Sequence, residues 1–328
     1  MHFEIKTAAI LPCYNSKGHV LSVLEKFGPE IDAIYCVDDA CPAQTGLFIK
    51  ENCNDPRVKV ILSAQNQGVG GATMTGMTAA CQDGASVLIK VDSDGQMDPR
   101  LIPQLIGPIL RGEADFCKGN RFHDLNNVRS MPKVRLFGNA VLSFMTKLSS
   151  GYWDMFDPTN GFVALHASIY RRLNLKNITN RYFFESDLLF RVGLVQARVL
   201  DMPMVAVYGE EESGLKISRI IGTFIFKHIK NFFKRIAYTY FIRDFNAGTL
   251  YLLLSVILLL LGSVLGIRYL VETWMTDVAT TSGQVMISTL PLFVGFQLGI
   301  AFLTYDIENT PKHAKWTSLE VQDRLIHE

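Results

Sequence analysis

Two stretches without a single charged residue, Phe245 to Ile267 and Val278 to Tyr305, constrain this chain more than any other feature. The first contains the run "YLLLSVILLLLG", and the second is most apolar between Val285 and Leu303. At about 1.5 Å of rise per residue, each is long enough to cross about 30 Å of bilayer hydrocarbon as a helix. A pair of helices buried in a soluble core is the alternative, but the charges that bracket both runs favour membrane spans. Lys216, Arg219, Lys227, Lys230, Lys234, Arg235 and Arg243 precede the first run. Only Arg268 lies between the two, against Glu272 and Asp277, while Lys312, Lys315 and Arg324 follow the second. By the positive-inside rule both termini are expected in the cytoplasm, with a short external loop near 268 to 284. No signal peptide is expected, since Glu4 and Lys6 interrupt the N-terminus and no long apolar region follows. The chain reads as a two-span protein of the cell (inner) membrane.

Ahead of the spans, residues 1 to about 125 alternate short apolar runs with helical patterns. The runs are Ala8–Leu11, Ala33–Val37, Val58–Leu62 and Val87–Val91, with Asp115–Cys117 a weaker fifth. Helical spacing occupies 18–27, 43–52, 70–82 and 99–111. Such alternation predicts an α/β fold with a mostly parallel sheet covered on both faces. Residues 126–215 continue the domain, with a helix near 133–150, the turn "DPTNGF" (157–162), a strand at 161–167, a helix at 183–191 and a strand at 197–204. From 217 to 243 apolar and basic residues alternate at helical spacing. Lys227, Lys230 and Lys234 are expected on one face and Phe224, Ile225, Phe232, Phe233 and Ile236 on another, as in a helix lying at the membrane surface. The division is therefore 1–215, 216–244, 245–307 and a tail 308–328.

Charge is nearly balanced, 32 basic against 31 acidic residues for a net +1, which argues against a nucleic-acid partner. All six cysteines precede residue 118 and none forms a C-x-x-C pair, so zinc binding is not expected and a reduced, cytosol-facing domain is.

In a parallel sheet, ligands bind beyond the carboxyl ends of the strands. Three such ends carry polar groups: "PCYN" after the first strand, Asp38-Asp39 after the second, and "DSDGQ" (92–96) after the fourth. Asp92 and Asp94 point the same way if strand geometry persists, and two hard oxygen donors suit Mg²⁺ or Mn²⁺ that also holds phosphate. An EF-hand is excluded, because the glycine falls at the fourth position and Pro103 stands where a glutamate is required. A plain turn explains Gly95 and Asp98-Pro99, but not an aspartate ending a buried strand. "NQGVGGATMTG" (66–76) lacks both G-x-G-x-x-G and the G-K-[ST] ending, and reads equally as a phosphate cradle or as a tight turn before a helix.

Taken in order, "ILPCYN", "VDDACP", "NQGVGGA", "VDSDGQMDP", "GNR" and "DPTNGF", followed by two spans, resemble the polyisoprenyl-phosphate glycosyltransferases of glycosyltransferase family 2. The resemblance implies the nucleotide-sugar (GT-A) Rossmann-like fold and runs through nearly the whole chain. It implies that Pro12, Tyr14, Asn15, Asp38, Asp39, Asn66, Gly68, Asp92, Ser93 and Gln96 hold the nucleotide sugar. Asp92, Asp94 and Gln96 would hold the metal, and Asp94, Arg121, Arg135 and Asp157 would serve catalysis. Arg121, Arg135, Ser213 and Lys216 would meet the acceptor phosphate. The partners so implied are a UDP- or GDP-hexose, an undecaprenyl or dolichyl phosphate, the membrane and further copies of the chain, a tetramer by family resemblance. Departures from the family pattern are Ser16 in place of Glu, "DDACP" for D-D-G-S, and Ser93 for Ala. The Q-x-x-R-W motif of processive synthases is absent, which fits a single inverting transfer. Two alternatives are a transferase to a hydroxyl of a lipid-linked glycan, which would need Glu185 or Asp187 as base, and a non-catalytic membrane adaptor.

Overall fold

The computed structural model describes the backbone of residues 5–123, 133–204 and 217–327, and side chains within 5–123, 136–204 and 222–322. The chain forms two compact units: Met1–Phe232 together with Pro311–Glu328, and Phe233–Thr310. The C-terminal tail thus belongs to the larger unit.

The larger unit is built on seven strands: β1 (Thr7–Cys13), β2 (Ala33–Asp38), β3 (Val58–Leu62), β4 (Val87–Lys90), β5 (Phe116–Asn120), β6 (Val163–His166) and β7 (Val199–Pro203), in the order β3-β2-β1-β4-β6-β5-β7. All neighbours pair parallel except β6, which is antiparallel to both β4 and β5. Apolar side chains leave both faces of the sheet: Leu11, Ile34 and Ile89 into one core, Ile10, Leu88 and Leu165 into the other. Helices α1 (Val20–Leu24), α2 (Thr45–Asn52), α3 (Val69–Gln82), α4 (Ile102–Leu110), α5 (Lys133–Ser150), α6 (Ala167–Tyr170) and α7 (Phe184–Leu194) complete the connections.

The reversal of β6 determines where the site lies. Because β6 runs backwards, the turn that precedes it, residues 157–162, arrives at the edge where β1, β2 and β4 end. Register extends this. Val163 pairs with Lys90 on one side and Lys118 on the other, and Lys118 pairs with Asp201. Directly paired residues project to the same face, so Lys90, Lys118 and Asp201 form one row beneath that edge.

Helix α8 (Ile217–Ala237) has two distinct sides. His228 is buried, with Nδ1 2.9 Å from Ser149 Oγ of α5, and Asn231 Nδ2 donates to Asp187 Oδ1 of α7 at 3.2 Å. The Phe224 ring lies 5.2 Å from Phe183, and Lys227 lies 5.3 Å over the same ring. Phe224 and Lys227 therefore pack on the domain, apart from the faces their spacing suggested, while Ile225, Phe226 and Ile229 are exposed. The tail is held as firmly. Buried Asp115 accepts from the N–H groups of Arg198, Lys315 and Trp316 at 2.7, 2.8 and 2.8 Å, capping α11 (Trp316–His327), and Trp316 stacks on His166 at 4.4 Å.

These two docking points carry an acid sensitivity. Burial pushes His166 down to about 3, although Glu320 lies 3.5 Å from Nε2, and Arg171 adds to the shift. Burial also pushes His228 down to about 4, against the opposing influence of Asp187. A histidine held below its unfolded value stabilises fully above about pH 6.5 and loses that contribution as pH falls towards 4, of order 2 kcal/mol for each. Asp201, raised to about 6 by burial, acts in the opposite direction and offsets part of the loss. Thermal unfolding between pH 7 and 4.5 is expected to show a falling Tm, and His166→Gln with His228→Gln is expected to flatten that slope.

In the smaller unit, α9 (Ala247–Thr276) and α10 (Ser282–Glu308) are both long and apolar enough to cross a membrane. Leu260, Val264, Phe293 and Phe296 are exposed, which a soluble core helix would not allow. The helices touch where side chains are small. A Cβ on Gly262 would come within 2.7 Å of Leu292 Cγ and 2.8 Å of Ser288 O, and Ser255 Oγ donates to Gly295 O at 2.8 Å. Gly262 with Gly266 and Gly295 with Gly299 stand at G-x-x-x-G spacing, and in each pair a glycine faces the other helix of the hairpin.

Candidate active site

Asp92 lies two residues beyond the end of β4, after Val91. Its Oδ1 accepts from Lys90 Nζ at 2.6 Å, and the same ammonium lies 3.4 Å from Glu185 Oε1 in the first turn of α7. Lys90 is fully buried, whereas the Asp92 side chain is 27% exposed. Burial alone would lower the Lys90 pKa, but the two carboxylates outweigh it and leave it raised. Glu185 is raised by burial, with Lys90 pulling the other way. Gly161 closes this corner. A Cβ there would overlap the Lys90 ammonium and come within 2.8 Å of Asp92 Oδ2. Gly161→Ala is thus expected to displace Asp92 and lower turnover about 10²-fold in a folded protein, by steady-state kinetics.

Asp94 Oδ1 accepts from Gln96 N at 2.9 Å, a local turn that holds Gln96 beside it. Asp98 takes the N–H of Arg100 at 3.1 Å and caps the short turn Pro99–Leu101, so its task is to start the next helix. Ser93 is buried and donates to Pro12 O at 2.8 Å and to Ser16 Oγ at 2.9 Å. Ser16 and Ser93, where the resemblance implied Glu and Ala, are thus hydrogen-bonded to each other and tie the end of β4 to the loop after β1.

The remaining residues expected to hold the nucleotide sugar divide. Tyr14 is half exposed at the end of β1, and Asn15 beside it adopts a φ of 55°. Asp38 and Asp39 are both buried. Asp38 accepts from Cys41 N at 2.7 Å and Gly46 N at 2.6 Å, at the entrance to α2, while Asp39 accepts from Gln67 N and Gly68 N, both at 2.7 Å. Asn66 Nδ2 donates to Asp39 O at 3.2 Å, and the N–H groups of Gly70 and Gly71 go to Asn180 O. Of the two readings of residues 66–76, the tight turn accounts for these groups: Asn66 and Gly68 serve the loop, and their donors point inward.

On the far side, Arg121 and Asp157 form a fork. Arg121 Nε donates to Asp157 Oδ2 and Nη2 to Oδ1, both at 2.7 Å, and Arg121 N reaches Oδ2 at 3.1 Å. Asp157 is buried in a left-handed conformation with a φ of 44°. Among the described residues other than glycine, positive φ also occurs at Asn15, Ala40 and Gln44 along this edge, and at Gln196 and Asp277 away from it. Burial would raise Asp157, but the Arg121 hydrogen bonds and the Lys118 charge bring it below the usual carboxylate value. Lys118 is fully buried without a hydrogen bond to Nζ, and burial lowers its pKa. Asp201 Oδ2 accepts from Phe156 N at 2.7 Å and so anchors the residue before Asp157. The Arg135 side chain, Ser213 and Lys216 lie outside the described residues.

The profile of glycosyl transferase family 2 matches residues 8–174, just over half of the chain. The chain belongs to that family. Among relatives, the UDP-N-acetylglucosamine–dolichyl-phosphate N-acetylglucosaminyltransferase of Methanococcus voltae is 29% identical over 231 residues, covering 66% of this chain and 92% of that protein. The undecaprenyl-phosphate mannosyltransferase of Micrococcus luteus is 28% identical over 223 residues, covering 66% and 90%. In fold, the chain is similar to glucosyl-3-phosphoglycerate synthase of Mycobacterium tuberculosis, solved with Mn²⁺, UDP and glucosyl-3-phosphoglycerate. That likeness has a TM-score of 0.52 at 16% identity and covers 71% of this chain and 80% of the other. A GT-A fold follows for this glycosyltransferase.

The donor set of this family 2 enzyme fits a divalent cation of the Mg²⁺ class. Among the described residues no three His, Cys, Asp or Glu side chains gather into a closed cage. Asp92 and Asp94 instead offer hard carboxylate oxygens at an open strand end, the pattern of a cation completed by substrate phosphates and water. Four residues of the site escaped sequence reasoning: Lys90, Lys118, Glu185 as the partner of Lys90, and Asp201. For Lys90, Lys118 and Asp201 the signal was charge in or beside runs that otherwise read as buried strand, whereas Glu185 lies in a segment read as helix and carried no such signal.

Proposed function

We propose that this enzyme transfers one hexose from a UDP- or GDP-sugar to a polyisoprenyl phosphate at the cytoplasmic membrane face, with inversion at the anomeric carbon. The observation that carries the reading is the meeting of Asp92 and the Arg121–Asp157 fork at one sheet edge, in a chain that continues into two membrane-length helices. Relatives whose names specify dolichyl-phosphate and undecaprenyl-phosphate acceptors support it.

When bound between Asp92, Asp94 and the donor diphosphate, Mg²⁺ or Mn²⁺ supplies positive charge that stabilises the departing nucleoside diphosphate. Tyr14, exposed at the end of β1, is placed for the nucleotide. Arg121, held flat by its fork to Asp157, turns its outer edge to the acceptor phosphate and orients it through charge-assisted hydrogen bonds. A phosphate oxygen is already anionic at neutral pH, so bond formation to the anomeric carbon needs no general base. The carboxylates that a hydroxyl acceptor would require are engaged elsewhere. Glu185 is paired with Lys90, and Asp187 accepts from Thr179 N, Thr179 Oγ1 and Asn231 Nδ2. That weighs against transfer to a glycan hydroxyl.

The test is purified protein with undecaprenyl or dolichyl phosphate and a panel of UDP- and GDP-sugars, with products identified by mass. One hexose added to the lipid phosphate is expected with a single donor. Sugar appearing only on a hydroxyl of a lipid-linked glycan would overturn the reading.

A further inference from the structure

Lys90 has features that a simple structural lysine does not need. It is the last residue of β4, its ammonium is sealed from water, and three separate elements meet around it. These are the strand end with Asp92, the first turn of α7 with Glu185, and the turn before β6, where Gly161 leaves the space the ammonium fills. The two carboxylates are not equivalent. Asp92 Oδ1 is at 2.6 Å, in full hydrogen-bond contact, while Glu185 Oε1 is at 3.4 Å, near enough to take the ammonium after a small movement of a flexible side chain. A buried ammonium must stay with one carboxylate or the other, since leaving both means an uncompensated charge away from water.

Resting on the proposed role of Asp92 as a ligand for the cation that accompanies the donor, we infer that Lys90 is a resident cation of that site. Lys90 occupies Asp92 in the unliganded enzyme and passes to Glu185 when a divalent cation arrives with the nucleotide diphosphate. Lys90 is thus a positioning residue, and Glu185 is the second station that lets it move. The physical reason is like-charge repulsion. With the ammonium on Asp92, a divalent ion approaching alone meets a carboxylate that is already neutralised, and must work against the lysine charge at close range in a partly dry pocket. The negative charge of the diphosphate, two on the donor sugar and nearly three on free UDP or GDP, offsets that repulsion, so metal and nucleotide bind cooperatively, by the reciprocity of linked equilibria. An enzyme of this design takes up little free metal and closes the site only around a loaded donor.

The readout is Mn²⁺ binding to the full-length protein in detergent, followed by the electron paramagnetic resonance signal of free Mn²⁺, with Mn²⁺ alone and with UDP or GDP added. Lys90→Met is expected to tighten binding of Mn²⁺ alone at least about 10-fold and to shrink the gain from added nucleotide. Glu185→Gln, which strands the ammonium on Asp92, is expected to weaken Mn²⁺ binding about 10-fold with or without nucleotide. A purely structural lysine would give lower melting temperatures in both variants without opposite changes in Mn²⁺ affinity. Lys90→Met that is folded, by circular dichroism, yet binds Mn²⁺ no more tightly than the wild type overturns the inference. If Lys90→Met does not fold, Glu185→Gln decides alone, and unchanged Mn²⁺ affinity there overturns it. Asp92→Asn separates the two levels. If it leaves Mn²⁺ binding in the presence of nucleotide intact, the metal reading itself fails; if it abolishes that binding while Lys90→Met has no effect, only the role given to Lys90 fails.

Discussion

Asp92→Asn is expected to lower kcat/KM for sugar transfer by about 10³-fold while leaving the protein folded. The change keeps the shape of the side chain and removes only its charge. The fold should tolerate it, because Lys90 retains Glu185 at 3.4 Å as a counter-charge and Ser93 continues to tie the strand end to Pro12 and Ser16. Catalysis should not tolerate it, because Asp92 is the more rigidly placed of the two proposed ligands, fixed by β4 behind it and by Gly161 beside it. Removing one preorganised group that stabilises developing charge typically costs 10² to 10³ in rate, and losing a metal ligand adds weaker binding of the cation itself. The effect should fall on kcat as well as KM, since charge on the leaving diphosphate is greatest in the transition state. Steady-state rates at several Mn²⁺ concentrations check it, and wild-type turnover in a folded variant would remove Asp92 from the mechanism.

Much of this arrangement is legible in the sequence, for reasons that also explain what is not. Strands of a sheet covered on both faces read as short apolar runs, so β1 to β4 fall within a few residues of their expected places: Ala8–Leu11 against Thr7–Cys13, and Val87–Val91 against Val87–Lys90. The two spans are the plainest signal of all. Strand order is different in kind. Nothing local tells β6 to insert antiparallel between β4 and β5, and that insertion brings "DPTNGF" to Asp92 and aligns Lys90, Lys118 and Asp201. Without that register a lysine in "VLIKV" looks like an interruption of a strand. Asp38 and Asp39 show the converse. Their position at a strand end reads as a ligand contact, and the fold adds what no local pattern shows, that their oxygens also accept from Cys41, Gly46, Gln67 and Gly68 and so shape the loops around them. Ser16 and Ser93, taken separately, are two unexplained departures, and their hydrogen bond connects them.

The fork at Arg121 yields the second large effect, and it separates stability from catalysis. Asp157→Ala would leave the Arg121 guanidinium and the buried Lys118 ammonium without their shared carboxylate, and breaking a buried pair from one side costs about 3 kcal/mol or more. That contribution is also pH-dependent with a definite sign. The folded Asp157 pKa lies below its ordinary value, so the pair stabilises fully above about pH 4 and weakens only as pH falls beneath that. That window opens where the His228 contribution is spent, near pH 4, and overlaps only the tail of the His166 contribution, which runs to about 3, so melting curves of the His166→Gln variant isolate it. Arg121→Lys isolates the catalytic part. A lysine keeps the charge beside Asp157, so most of the stability should remain, but it cannot hold two carboxylate oxygens and present a flat edge to an acceptor phosphate at once. Transfer should fall about 10²-fold, chiefly in kcat/KM for the lipid phosphate, with donor binding close to wild type. Should Arg121→Lys instead weaken donor binding and spare the acceptor, the fork would belong to the nucleotide side of the crevice, and the proposed direction of attack would have to be reversed.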